Sequence, residues 1–139
     1  MKTLHELTHT EAQMILSAIQ AECQSQNQGA AIAVVDTHGD LITFLRMDGC
    51  GLAPIQIAMN KAYTAAREGI PSKTLGERSQ HEGFPMTNFG ELRYVTWGGG
   101  LPVIIDGKVV GAVGVSGLPE DEDIRLAHIG VSIITDALG

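Results

Sequence analysis

Lys61 stands in an otherwise alanine-rich stretch, Lys61-Ala62-Tyr63-Thr64-Ala65-Ala66, of a 139-residue chain. A lysine stripped of water among small apolar side chains drops in pKa and becomes a base, or it holds an anionic group. A snorkelling or ion-paired lysine has the same surroundings. Two carboxylates could work with it: Asp48, just past a strand-like run, and Asp123, in the acidic opening of the last helix. Lys61, Asp48 and Asp123 are therefore the acid–base candidates of a catalytic reading. The plainer role for Asp123 is a helix-terminus carboxylate. Gly98-Gly99-Gly100 is followed by Leu101-Pro102, which excludes a P-loop. Its N–H groups could still cradle an anion, or the glycines could let the strand pass close to a neighbouring subunit. Ser116 has neither a nucleophile elbow nor a paired base.

Of the five histidines, His128 borders the apolar stripe of the last helix, beside Ala127 and one turn after Ile124. From there it could ligate a metal-centred group, hydrogen-bond a ligand, or serve as a core or interface residue. His5 and His9 flank the start of the first helix, His38 falls in a hairpin loop and His81 in an irregular segment, and all four read as surface residues, with the alternative that an N-terminal histidine ligates a metal-centred group in an oligomer. No dedicated zinc site is expected. Cys23 and Cys50 have no Cys-x-x-Cys spacing and make no disulfide framework, and Cys50 reads as an inert thiol. Arg93, Tyr94 and Trp97 could line a pocket mouth, with packing the default role of Trp97.

These residues need elements to position them. Thr8-His9-Thr10-Glu11 spells a capping box, with Leu7 and Ala12 as its hydrophobic staple. Ala12, Ile15, Leu16, Ile19 and Cys23 then recur at helical spacing, and Gly29 is expected to end that helix. Residues 30–35 form a continuous apolar run, a buried strand, and residues 36–40 carry turn chemistry leading to a second strand over 41–47. Pro54 suits the first turn of a second helix, with Ile55, Ala58, Met59, Ala62 and Ala66 on its apolar face. Those alanines would let the helix lie close to a sheet. Gly69 and Pro71 stop it, and residues 72–80 make a short third helix. Residues 81–93 are irregular, and residues 94–97 read as a strand.

Asp106-Gly107 between two apolar β-branched runs predicts a hairpin with a type I′ turn. Gly111 and Gly114 in its second arm imply close approach by another backbone or a ligand. A last helix follows, with Ile124, Ala127, Val131, Ile134 and Leu138 as its core stripe. Hairpins joined to helices with one apolar stripe each give an α+β domain, one antiparallel β-sheet of about five strands flanked by α-helices, spanning 1–139 as a single unit.

Composition narrows the function. Sixteen acidic residues against nine basic give a formal net charge of −7, which argues against nucleic-acid partners and against an anionic membrane surface. No run nears the roughly 18 apolar residues of a membrane span. The start Met1-Lys2-Thr3-Leu4-His5-Glu6 has no apolar signal-peptide core behind it. With only two cysteines, the expected compartment is a reducing cytoplasm.

Gly98-Gly99-Gly100-Leu101-Pro102-Val103-Ile104, then Gly111-Ala112-Val113-Gly114-Val115-Ser116-Gly117, then Asp121, Asp123 and Ala127, resemble the GlcG/HbpS family. Ala33-Val34-Val35-Asp36 with Gly39, Arg46-Met47-Asp48-Gly49 and the Lys61 block add weaker matches, so the resemblance spans roughly residues 8–138. It implies a profilin-like sheet flanked by helices and assembly as a homo-oligomer, tetramer to octamer. It also implies haem as a cofactor, and kinship with the C-terminal domain of the PduO corrinoid adenosyltransferases. Leu118-Pro119 and the stretch from Gly83 to Gly90 depart from the family pattern, and both fall where a ligand pocket would be.

Two functions follow. The first is a small-ligand-binding protein taking haem or a related tetrapyrrole, with His128, Gly98, Gly99, Gly100 and Arg93 as its cofactor-binding residues. The alternative is a cofactor-independent catabolic enzyme, of isomerase, lyase or hydrolase type, acting on an organic acid or ring-derived metabolite through Lys61, Asp48 and Asp123.

Overall fold

The capping box at Thr8 forms as its spelling requires. The Thr8 backbone N–H donates to the Glu11 carboxylate at 2.8 Å, and Glu11 N–H donates to the Thr8 hydroxyl at 3.2 Å. It opens α1 (His9–Ser25), and Leu7 and Ala12 are both buried beside it. In this computed structural model, which describes residues 1–138, α1 stops before Gly29. Asn27 takes a left-handed φ of 53°, and Gln28 N–H caps the Cys23 carbonyl. Gly29 instead presses on the Asp48 carbonyl, where a Cβ has no room.

The chain continues through β1 (Ala31–Val35), β2 (Leu41–Arg46), α2 (Ala53–Glu68), α3 (Ser72–Glu82), a 3-10 turn (Met86–Phe89), β3 (Gly100–Ile105), β4 (Lys108–Ser116) and α4 (Glu120–Leu138). The strands form one antiparallel sheet in the order β2-β1-β4-β3. Asp106 and Gly107 both have positive φ, 51° and 75°, as the type I′ turn between β3 and β4 demands.

The expected strand count of about five is corrected to four among the described residues. Residues 94–97 are not paired to the sheet. They are tied to α2 instead, where Val95 N–H donates to the Thr64 hydroxyl at 2.9 Å and the Tyr94 hydroxyl donates to Glu68 at 2.9 Å.

Alternation along the strands divides the core. Ile32, Val34, Val103, Val113 and Val115 face α1 and α4, and pack with Ile15, Ile19, Leu126 and Ile134. Ala31, Ala33, Val35 and Ala112 face α2 and meet Ala58, Ala62, Ala65 and Ala66. This second layer is thin. A Cβ on Gly114 would overlap the Ala58 carbonyl and lie 2.7 Å from the Ala62 nitrogen, so the α2 backbone rests on the sheet itself. No helix among the described residues is long and apolar enough to cross a membrane.

Candidate functional site

Seating α2 so closely drives Lys61 into the sheet. Its Nζ donates to the Val115 carbonyl at 2.9 Å and to Asp123 Oδ2 at 3.1 Å. Asp123 lies in the first turn of α4, and its other oxygen accepts the Leu118 N–H at 3.2 Å. Gly99, at φ 121°, closes the third side, and a Cβ there would stand 3.0 Å from Lys61 Nζ and 3.1 Å from Asp123 Cβ. Lys61, Gly99 and Asp123 thus converge from three separate elements.

They converge on a sealed ion pair. Lys61 and Asp123 are each 3% exposed, and none of the main cavities opens on them. Burial lowers the Lys61 pKa and pushes that of Asp123 up to about 6, each against the attraction of its partner. The desolvation cost of the two charges therefore outruns their mutual gain. Among the described residues the pair ties α2 to α4 across the end of β4. Asp48, the third acid–base candidate, is exposed at the far end of α1, in a cleft with Gln24, Asn27 and Arg46, and does not bond Lys61.

The triple-glycine bend has little left to offer an anion. Gly98 N–H donates to the Glu120 carboxylate at 2.9 Å and Gly100 N–H to the buried Ser72 hydroxyl at 3.0 Å. The Gly99 carbonyl accepts from Val115 at 3.0 Å. Trp97, just before the bend, is 61% exposed, although packing was its expected role. Both cysteines keep their protons, because burial raises each thiol pKa.

Arg93 occupies a different place. Its guanidinium stacks 4.0 Å from the Tyr63 ring centre, and Nε and Nη2 grip Glu91 at 3.0 and 2.8 Å. That grip holds the Glu91 carboxyl down at about 2. Tyr63 is on α2, so Arg93 sits on the opposite face of the sheet from α4 and His128.

His128 is exposed on α4, one turn beyond Ile124, whose side chain covers Gly98. His5 lines a cleft of about 250 Å³ with Leu7, Ile105, Val110, Lys108 and Leu138, while His9 lines a separate cleft with Met14 and Ile42. His5-Glu6-Leu7-Thr8-His9 spells the H-E-x-x-H zinc pattern, contrary to the expectation of no zinc-ligand spacing. The fold withholds the geometry, since α1 begins only at His9 and the two imidazoles do not share a helical face. Glu6 turns instead toward the hairpin loop. There Glu6, Asp36 and His38 bring one ligand atom each within 4.8 Å of one another, on exposed or half-exposed side chains.

A four-stranded antiparallel sheet with α1 and α4 on one face and α2 on the other is a profilin-like α+β domain, and its sealed lysine–aspartate pair lies under a glycine bend. The chain belongs to the family described as haem degrading protein HbpS-like, whose model matches residues 7–132. An uncharacterised 15.0 kDa protein of the dhaT-dhaS intergenic region of Citrobacter freundii is 35% identical over 134 residues, 94% of this chain and 93% of the relative. Protein GlcG of Escherichia coli K12 is 38% identical over 122 residues, 84% of this chain and 85% of GlcG.

Among solved structures, Klebsiella pneumoniae ORFY has a TM-score of 0.91 at 28% identity, covering 100% of this chain and 97% of its own. HbpS has a TM-score of 0.87 at 27% identity, covering 96% of this chain and 94% of its own. The haem complex of PduOC shares the fold, with a TM-score of 0.85 at 23% identity, covering 92% and 94%.

Proposed function

We propose that this chain is a small-ligand-binding protein of the GlcG/HbpS type whose ligand is haem or a related tetrapyrrole. Haem asks for an iron ligand and an apolar slot. The observation that carries the reading is the His5 cleft. Of the three clefts that hold His5, His81 and His9 among the described residues, the His5 cleft combines an apolar floor with a cation. His5 offers the imidazole, Leu7, Ile105 and Val110 the floor, and Lys108 a charge for a propionate, against the three carboxylates of Glu6, Glu11 and Asp106 that also line the cleft. The cleft of about 250 Å³ is short of the roughly 300–1,000 Å³ that enclose an organic ligand. It fits one edge of a macrocycle, and a second copy must cover the remainder. Assembly as a homo-oligomer, tetramer to octamer, belongs to the same reading. The family match and the fold shared with HbpS and with the PduOC haem complex support it.

Haem added to the purified protein is expected to give a saturable Soret band distinct from that of free haem. The band is lost in His5→Ala and kept in His128→Ala. Loss in His128→Ala alone moves the iron ligand to α4 and overturns the cleft assignment. A wild-type spectrum identical to free haem overturns the tetrapyrrole reading itself.

A further inference from the structure

On the α2 face of the sheet, away from the His5 cleft, a small cavity of about 160 Å³ lies between the β1–β2 loop, α2 and Arg93. At about 30 Å³ per water, it holds roughly five waters or an organic molecule of similar size. We propose that it binds a small zwitterion, an α-amino acid of two to four carbons. Its rim carries one guanidinium nitrogen and one carboxylate that are without hydrogen-bond partners among the described residues, although the guanidinium itself is paired with Glu91. Arg93 spends Nε and Nη2 on Glu91, and Nη2 also reaches the Tyr63 hydroxyl, which leaves Nη1 without a partner. The Asp40 carboxylate makes no hydrogen bond, since only its backbone is engaged by Asp36. A ligand carboxylate meets the guanidinium edge and a ligand ammonium meets Asp40.

Asn60 and Gln56 line the same cavity. Gln56 Nε2 donates to Asn60 Oδ1 at 2.9 Å, which leaves Gln56 Oε1 as an acceptor and Asn60 Nδ2 as a donor on two residues that line the cavity. Met59 and Val35 give a short apolar wall suited to one or two carbons.

The walls are fixed before any ligand arrives. Tyr63 is 3% exposed, and Arg93 is clamped on its ring by Glu91. Gly39 has φ 91°, and a Cβ there would lie 2.5 Å from the Tyr63 ring, so the loop that carries Asp40 is pressed onto that ring. Such pre-organisation lowers the ordering cost of binding. Charge selects the ligand class. The chain carries a net charge of −7, which penalises a simple anion but leaves a net-neutral zwitterion unopposed.

Calorimetric titration of the intact protein with L-alanine and L-serine tests this, with lactate and ethylamine as probes that each lack one of the two charges. Both amino acids are expected to bind saturably at a single site per chain, and lactate and ethylamine at least about tenfold more weakly. Asp40→Asn and Arg93→Gln should each weaken L-alanine binding at least about tenfold. Arg78→Gln, on the exposed side of α3, should leave it unchanged. Circular dichroism melts identify any variant that fails to fold, and for such a variant Asp40→Ser or Arg93→Lys takes its place. Absence of saturable binding by either amino acid overturns the proposal. So does lactate binding as tightly as L-alanine, or binding unchanged in both rim variants. None of these outcomes bears on haem, whose readout is spectral and whose cleft lies elsewhere.

Discussion

Lys61 and Asp123 show what one buried pair costs and what it holds. The Asp123 carboxyl stands at about 6, above its ordinary 3.8, because burial penalises the charged form. The folded state therefore binds a proton that the unfolded state has already released between these values. The share of stability tied to Asp123 is full below about pH 4 and is lost as pH rises through 6. Urea denaturation of the wild type and of the double variant Lys61→Met/Asp123→Leu should show this as a difference. The stability of the wild type relative to the double variant falls from pH 4 to pH 6. A relative stability that rises over that pH range would refute the assignment. The lysine's unusual setting was legible from its alanine neighbours, but its partner was one of two carboxylates, and the chain order did not choose between them.

At the scale of elements, α2 touches β3 and β4 backbone to backbone at Gly100 and Gly114, with only a thin layer of alanines elsewhere. Gly114 and Gly100 are glycines because the Ala58 and Lys61 carbonyls occupy the space where a Cβ would go. Gly114→Ala should therefore destabilise by about 1–3 kcal/mol or more through overpacking against a backbone that cannot rotate aside. Gly51 has a negative φ and only the Pro54 ring at 3.8 Å, so Gly51→Ala is the control and should be near neutral. Equal thermal melts for the two variants would show that α2 can lift off the sheet. The helices, both hairpins and the type I′ turn were readable because their signals are local. The segment 94–97 misled because Tyr94, Val95 and Thr96 have strand-like side chains, yet Thr64 and Glu68 of α2 claim its polar groups first.

The whole molecule leaves large apolar side chains in water. Leu92 is 98% exposed, Leu52 73% and Trp97 61%. Single exposed apolar residues are ordinary, but Leu92 and Trp97 both belong to the segment between α3 and β3 and suit a surface that another copy covers. Light scattering of the wild type should give the mass of a multi-subunit assembly, and Leu92→Ser/Trp97→Ser should lower it. A monomeric wild-type mass at working concentration would remove the assembly on which the half-open His5 cleft depends.

What the chain's order of residues determined by itself was its local grammar: where helices start, where hairpins turn, which faces are apolar, and the family to which the glycine block belongs. Tertiary structure alone decided which distant groups meet. Lys61 reaches Asp123 across 62 residues and Arg93 reaches Tyr63 across 30. It also decided that His5 and His9, spaced as zinc ligands, never share a helix. Caps, turns and stripes are set by neighbours within a few residues. Encounters across the sheet depend on how tightly layers close, which in this molecule is set by glycines and alanines that carry no chemistry of their own.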